Sequence, residues 1–128
     1  MGVVLVMESD GTQQIVLSKI LGRIGLEVIF AGNAIEVQKL IARHHPDLVV
    51  LDLVLPKMNG YEVCRQIKSN TTDQPAVLIF FDKPEECRLE QGSKQGADAY
   101  ISKLCRPQEL VDAILKLLPQ KAQLAPLS

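Results

Sequence analysis

The sequence predicts an α/β domain, an open doubly wound sheet of five parallel strands with five helices on its two faces. Two kinds of segment alternate along the chain. Short runs are dense in Val, Ile and Leu, and longer stretches repeat their apolar residues every three or four positions. That alternation is the mark of successive β-α-β units. The third and fourth short runs are almost unbroken in apolarity, as strands buried on both faces of a parallel sheet are.

The first strand is expected over Val3 to Met7. The run is too short for the core of a signal peptide, no basic residue precedes it, and Glu8 follows at once. Ile15, Leu17, Ile20, Leu21 and Ile24 then form one helical stripe, entered through Asp10, which with Gln13 three residues on suits an N-cap. The second strand covers Glu27 to Ala31. The second helix carries Ile35, Leu40 and Ile41, and Asn33 with Glu36 has capping-box spacing at its start. His44 and His45 lie at its end before Pro46, where cationic side chains suit the helix dipole, and they are read as helix-end residues instead of metal ligands.

The third strand spans Leu48 to Leu53, and Asn59 with Glu62 opens the third helix. Ala76 to Phe81 form the fourth strand. The helix that follows, roughly Pro84 to Gln95, is the weakest, since Cys87 and Leu89 are its only clear apolar residues and Gly92 interrupts it. It is expected to be short or mobile, with Glu85, Glu86 and Glu90 on a solvated face. Ala99 to Ser102 make the fifth strand. The last helix runs through Leu110, Val111, Ile114, Leu117 and Leu118, with Pro107 in its first turn. Residues 1–118 are thus read as one domain. Residues 119–128, with two prolines and no periodic apolar face, are read as a flexible tail or linker stub.

Bulk composition narrows the function classes. With 128 residues, 47% of them hydrophobic, the chain can bury one sizeable core and has no room for a second domain. A formal net charge of −1 gives no electrostatic footprint for binding nucleic acid or coating an anionic membrane. Cys64, Cys87 and Cys105 are odd in number and lack metal-ligand spacing, so reduced thiols in a cytoplasmic protein are expected. In such a sheet the ligand crevice lies at the carboxyl ends of the strands near the topological switch point. Those ends bring Glu8, Ser9, Asp10, Asp52, Phe80 to Asp82, and Lys103 together, a cluster of carboxylates with one lysine.

At these positions three segments, "VLVMESD", "VVLDLVLPKMNGYE" and "GADAYISK", resemble the receiver domain of two-component response regulators, over about Val3 to Leu118. The middle segment is the specific one, joining a buried strand, an aspartate at its end and a Pro-x-Met-Asn-Gly loop leading into a helix. The resemblance implies the flavodoxin-like strand order 2-1-3-4-5. It implies a signalling module that is not an enzyme, with Asp52 taking a phosphoryl group from a histidine kinase or phosphotransfer protein and Lys103 contacting that phosphate. An unknown downstream protein would then read the state, with no direct nucleic-acid binding and no membrane. The chemistry fits those residue types, because phosphoryl transfer rests on positioning and on neutralising oxygens that stay highly charged. The family supplies a further positive charge as Mg²⁺, a hard ion suited to carboxylate, carbonyl and water oxygens. The implied ligands here are Glu8, Asp52 and the backbone carbonyl of Val54.

Three departures from the family pattern stand out. The second member of the acidic pair is Ser9, a poorer ligand than aspartate, so Mg²⁺ binding is expected to be weakened, with Asp10 a substitute if the loop shifts. After the fourth strand, Phe80 and Phe81 stand where the family has Thr or Ser followed by Ala. The hydroxyl switch partnered with an aromatic matching Tyr100 is therefore missing, and Phe80 is expected to compete for the space Tyr100 would use. Leu104 replaces the proline after the lysine, so a cis bond there would cost about 3 kcal/mol and the loop should differ. Val54, two residues after Asp52, has no polar side chain to orient water, which predicts a slowly hydrolysing acyl phosphate. A pseudo-receiver acting as a phosphorylation-independent interaction module is the alternative reading. A flavin protein or small hydrolase on the same architecture is disfavoured, since Glu8 and Asp10 would repel a phosphate after the first strand.

Overall fold

The computed structural model describes residues 2–55, 59–70, 74–82 and 96–118. Strands β1 (Val3–Met7), β2 (Glu27–Phe30), β3 (Leu48–Asp52), β4 (Ala76–Phe81) and β5 (Ala99–Ser102) form one sheet in the order β2-β1-β3-β4-β5, and every neighbouring pair is parallel. Helices α1 (Gly11–Arg23), α2 (Ala34–His44), α3 (Gly60–Asn70) and α4 (Pro107–Leu117) accompany them among the described residues. The helix expected over Pro84 to Gln95 and the tail expected over 119–128 lie outside the described residues. β2 and β3 each stop one residue earlier than the apolar pattern suggests. Even so, Ala31 N still donates to Val6 O at 3.0 Å and Leu53 N to Phe80 O at 2.9 Å, so pairing continues for one residue past both strands.

Strand alternation divides the core in two. Leu5, Val49, Leu51, Val77 and Ile79 face α2 and α3, packing on Val37, Ile41, Val63, Cys64 and Ile67. Val4, Val6, Leu48, Val50, Leu78 and Phe80 face the other way, onto Leu17 and Leu21 of α1 and Leu110 and Ile114 of α4. β3 is buried at all its positions, which explains why its sequence alternates so little. Each large side chain so buried contributes about 1.5–3 kcal/mol of transfer free energy.

Side chains set the ends of the elements. Asp10 Oδ1 accepts from Thr12 N at 2.8 Å, Asn33 Oδ1 from Glu36 N at 2.8 Å, and Asn59 Oδ1 from Glu62 N at 2.9 Å. These bonds satisfy amides that the first helical turns leave open. At the far end of α2, His45 occupies the left-handed region with φ 48°, the conformation in which glycine is favoured. The strand beginnings are tied by polar groups as well. Asp47 Oδ2 accepts from Val3 N at 3.1 Å while its main-chain carbonyl accepts from Ala76 N at 3.3 Å. Lys68 Nζ donates to Pro75 O at 2.9 Å and to Asp98 Oδ2 at 3.0 Å, and that same oxygen accepts from Val77 N at 2.8 Å.

Candidate functional site

The strand order places the carboxyl ends of β1 and β3 side by side, with β4 between β3 and β5. Glu8 follows β1, Asp52 ends β3, and both are buried, at 3% and 5% exposure. Lys103 follows β5 and reaches back across Phe80, its Nζ 5.8 Å from the centre of that ring. The ammonium lies 3.0 Å from Asp52 Oδ2 and 3.1 Å from Glu8 Oε2. One cation is therefore held between two buried carboxylates and above an aromatic face.

Local structure fixes each of the three. Glu8 Oε1 accepts from Asp10 N at 3.1 Å, and the Glu8 carbonyl accepts from Gln14 Nε2 of α1 at 2.6 Å. Asp52 Oδ1 accepts from Val54 N at 3.2 Å. Gly60 then brings α3 against the backbone of β3: its amide donates to Leu53 O at 2.7 Å, and a Cβ at that position would lie 2.6 Å from Asp52 O. No side chain fits there without backbone movement. Sequence reasoning gave Gly60 no role beyond the motif it belongs to; the signal was the Asn59-Gly60 pair at the entrance of the helix that follows the aspartate-bearing strand.

The charges respond to this enclosure. Burial pushes the Glu8 carboxyl above its ordinary range, opposed by the Asp10 amide, and Asp52 beside it adds to the rise while Lys103 counters it. For Lys103, burial acts to lower the amine, but hydrogen bonds to Asp52 and Glu8 outweigh it and hold the amine above its ordinary value. The lysine stays charged across the physiological range.

The remaining predicted residues divide. Ser9 and Asp10 are both exposed, and Asp10 caps α1. Val54 is 56% exposed. Phe80 is buried on the α1 and α4 side of the sheet, whereas Tyr100 packs on the opposite side with the α2 and α3 core. The register explains the difference: Phe80 pairs with Ile101 and Ile79 with Tyr100, so alternation sends the two rings to opposite faces. The expectation that Phe80 competes for the space of Tyr100 is corrected accordingly, and Phe81 is the residue that shares the face of Tyr100. After Lys103 the chain turns with Cys105 N donating to Ser102 O at 3.1 Å and Leu104 N to Ser102 Oγ at 3.0 Å, and no peptide bond among the described residues is cis.

Residues 4–115 match the model of the response regulator receiver domain. This chain belongs to that family. It is 34% identical over 122 residues to the alkaline phosphatase synthesis transcriptional regulatory protein PhoP of Bacillus subtilis, covering 95% of this chain and 50% of the relative. It is 35% identical over 115 residues to the probable transcriptional regulator ycf27 of Porphyridium aerugineum, covering 90% of this chain and 47% of that one. The chain thus spans about half the length of these curated relatives. Among solved structures, a response regulator receiver domain protein from Clostridium thermocellum superposes with a TM-score of 0.83 at 26% identity, covering 97% of this chain and 99% of that chain.

Receiver domains are modules of two-component signalling that interact with histidine kinases or phosphotransfer proteins and bind Mg²⁺ at their acidic pocket. In this receiver the donor set falls short of that ion. Glu8 and Asp52 are its only buried carboxylates among the described residues, and both already face Lys103. Ser9 is neutral and exposed, and no cluster of three or more acidic, His or Cys side chains able to hold a metal occurs among the described residues. No helix among those residues is long and apolar enough to cross a membrane.

Proposed function

We propose that this receiver accepts a phosphoryl group on Asp52 from a histidine kinase or phosphotransfer protein in the cytoplasm and signals through protein contacts. The observation that carries the reading is the Lys103 ammonium 3.0 Å from Asp52 Oδ2 at the carboxyl end of the central strand. An Asp52 carboxylate oxygen attacks phosphorus, the new O–P bond forms as the P–N bond of a phosphohistidine breaks, and the imidazole leaves with that electron pair. Lys103 neutralises oxygen charge through the transfer and then holds the acyl phosphate. Gly60 and the Val54 amide position Asp52. No step is assigned to Mg²⁺, whose implied ligands Glu8, Asp52 and the Val54 carbonyl lack the third carboxylate.

Phe80 has no hydroxyl with which to bond the new phosphate, and this favours a second reading, a pseudo-receiver whose contacts do not depend on phosphorylation. Mass spectrometry of the intact chain separates the two. Incubation in MgCl₂ with acetyl phosphate, and separately with a phosphorylated phosphotransfer protein, should add one phosphoryl mass to the wild type and none to Asp52→Asn. No gain with either donor would leave the pseudo-receiver. Because Val54 offers no polar group to orient water, the acyl phosphate should decay slowly, and Val54→Gln should speed its loss.

A further inference from the structure

The acid pocket carries a disagreement with its family. We infer that it is an ammonium site in which Lys103 is the resident cation, and that Ser9 is the residue that closes it to divalent metal. The inference rests on the identity of the pocket around Asp52 and does not depend on Asp52 being phosphorylated.

Four observations converge on it. First, Nζ stands 3.0 and 3.1 Å from the two carboxylates, whose side chains are 7% and 1% exposed, so the triad leaves a single uncompensated negative charge. A dication would have to expel the ammonium from both partners or settle beside it against like-charge repulsion. Second, one oxygen of each carboxylate takes a backbone amide, Glu8 Oε1 that of Asp10 and Asp52 Oδ1 that of Val54, while the buried Glu8 Oε2 has no hydrogen-bond partner and faces only the Lys103 ammonium. Turning either carboxylate toward a metal gives up one of these bonds. Third, Mg²⁺ dehydrates reluctantly and keeps several waters, which need acceptors around them. The wall beneath Nζ is instead the Phe80 ring, which suits an ammonium and offers a hydrated ion nothing. Fourth, the position from which a further carboxylate would tip the balance holds Ser9, which is exposed and follows Glu8 in the chain.

The test is a MgCl₂ titration of the full chain without any phosphodonor, followed by amide NMR shifts of Val54 and Gly60 and by calorimetry, on wild type and Ser9→Asp. Ser9 is exposed, so the variant keeps the core intact. Ser9→Asp should bind Mg²⁺ at least about tenfold more tightly than wild type, since ligand charge count governs affinity at oxygen sites. Lys103→Met should likewise bind Mg²⁺ more tightly than wild type, because its pocket has lost the resident cation. Equal affinity of wild type and Ser9→Asp, at whatever value, overturns the inference. Failure of every phosphodonor to modify Asp52 would sink the phosphoacceptor reading and leave the titration result standing, so the two claims fall separately.

Discussion

Replacing Gly60 with alanine tests whether the close approach of α3 to β3 builds the site. The added Cβ would sit 2.6 Å from Asp52 O and 3.0 Å from Leu53 Cα. Carbon and carbonyl oxygen in favourable contact stand about 3.3–3.6 Å apart, so the helix start or the strand end must retreat by more than about half an ångström. Both flanking atoms belong to backbone, and the Gly60 amide bond to Leu53 O is already short at 2.7 Å. Overpacking of this kind costs about 1–3 kcal/mol, and the better helix propensity of alanine returns at most about 1 kcal/mol. A net loss of about 1–2 kcal/mol should appear as a lower urea midpoint with an unchanged slope. Gly22 supplies the control. It lies in α1 with nothing within 4 Å of its would-be Cβ, so Gly22→Ala should be neutral or stabilising by up to about 1 kcal/mol. If Gly60→Ala matched wild type within about 0.5 kcal/mol, the steric argument would be wrong.

Three further outcomes follow from the site and its frame. Lys103→Met leaves two buried carboxylates without their cation and should cost about 3–5 kcal/mol by urea unfolding near neutral pH; a loss below 1 kcal/mol would mean that the triad does not hold the strand ends together. The native Glu8 carboxyl holds its proton above the ordinary value of 4.5, so its contribution is full below that pH and is lost as pH rises through the native value, whereas Lys103, raised above 10.5, contributes until alkaline pH deprotonates it. Urea midpoints of wild type and Glu8→Gln across pH 4 to 7 read the first effect, and parallel curves for the two proteins would refute it. His45→Gly, at φ 48°, should stabilise by about 0.5–1 kcal/mol, and a lowered thermal midpoint would contradict the left-handed assignment.

The fold was legible because each strand and helix announces itself locally. The unbroken Val-Ile-Leu runs of β1, β3 and β4 are what a sheet covered on both faces requires, and Asn33 and Asn59 marked helix starts that the structure reproduces with direct caps. Asp52 and Lys103 were legible as strand-end residues of an open α/β sheet. The facing of Phe80 and Tyr100 was not, because parity along a single strand says which residues alternate and leaves open which core each side meets until its register with its neighbours is fixed. The steric role of Gly60 escaped for a similar reason: a clash with Asp52 O exists only once α3 has docked. The meeting of Lys103 with Glu8, 95 positions away, was legible on the same ground as its meeting with Asp52, since Glu8 and Lys103 both follow strands of the sheet at its carboxyl end.

The polar ties of the sheet are unequal at its two ends. Where the strands begin, Asp47 joins the starts of β1, β3 and β4, while Lys68 and Asp98 fasten α3 to the entrances of β4 and β5 through uncharged backbone partners as well as an ion pair. Where the strands finish, the side-chain link across β1, β3 and β5 among the described residues is the ammonium of Lys103. The sheet is thus riveted along one margin and latched along the other, like a fan. A change of charge on Asp52 therefore acts on the latch and not on the riveted margin. Hydrogen exchange should show this directly, with the Val3 and Val77 amides unaltered by Asp52→Asn and the Leu53 and Lys103 amides exchanging faster.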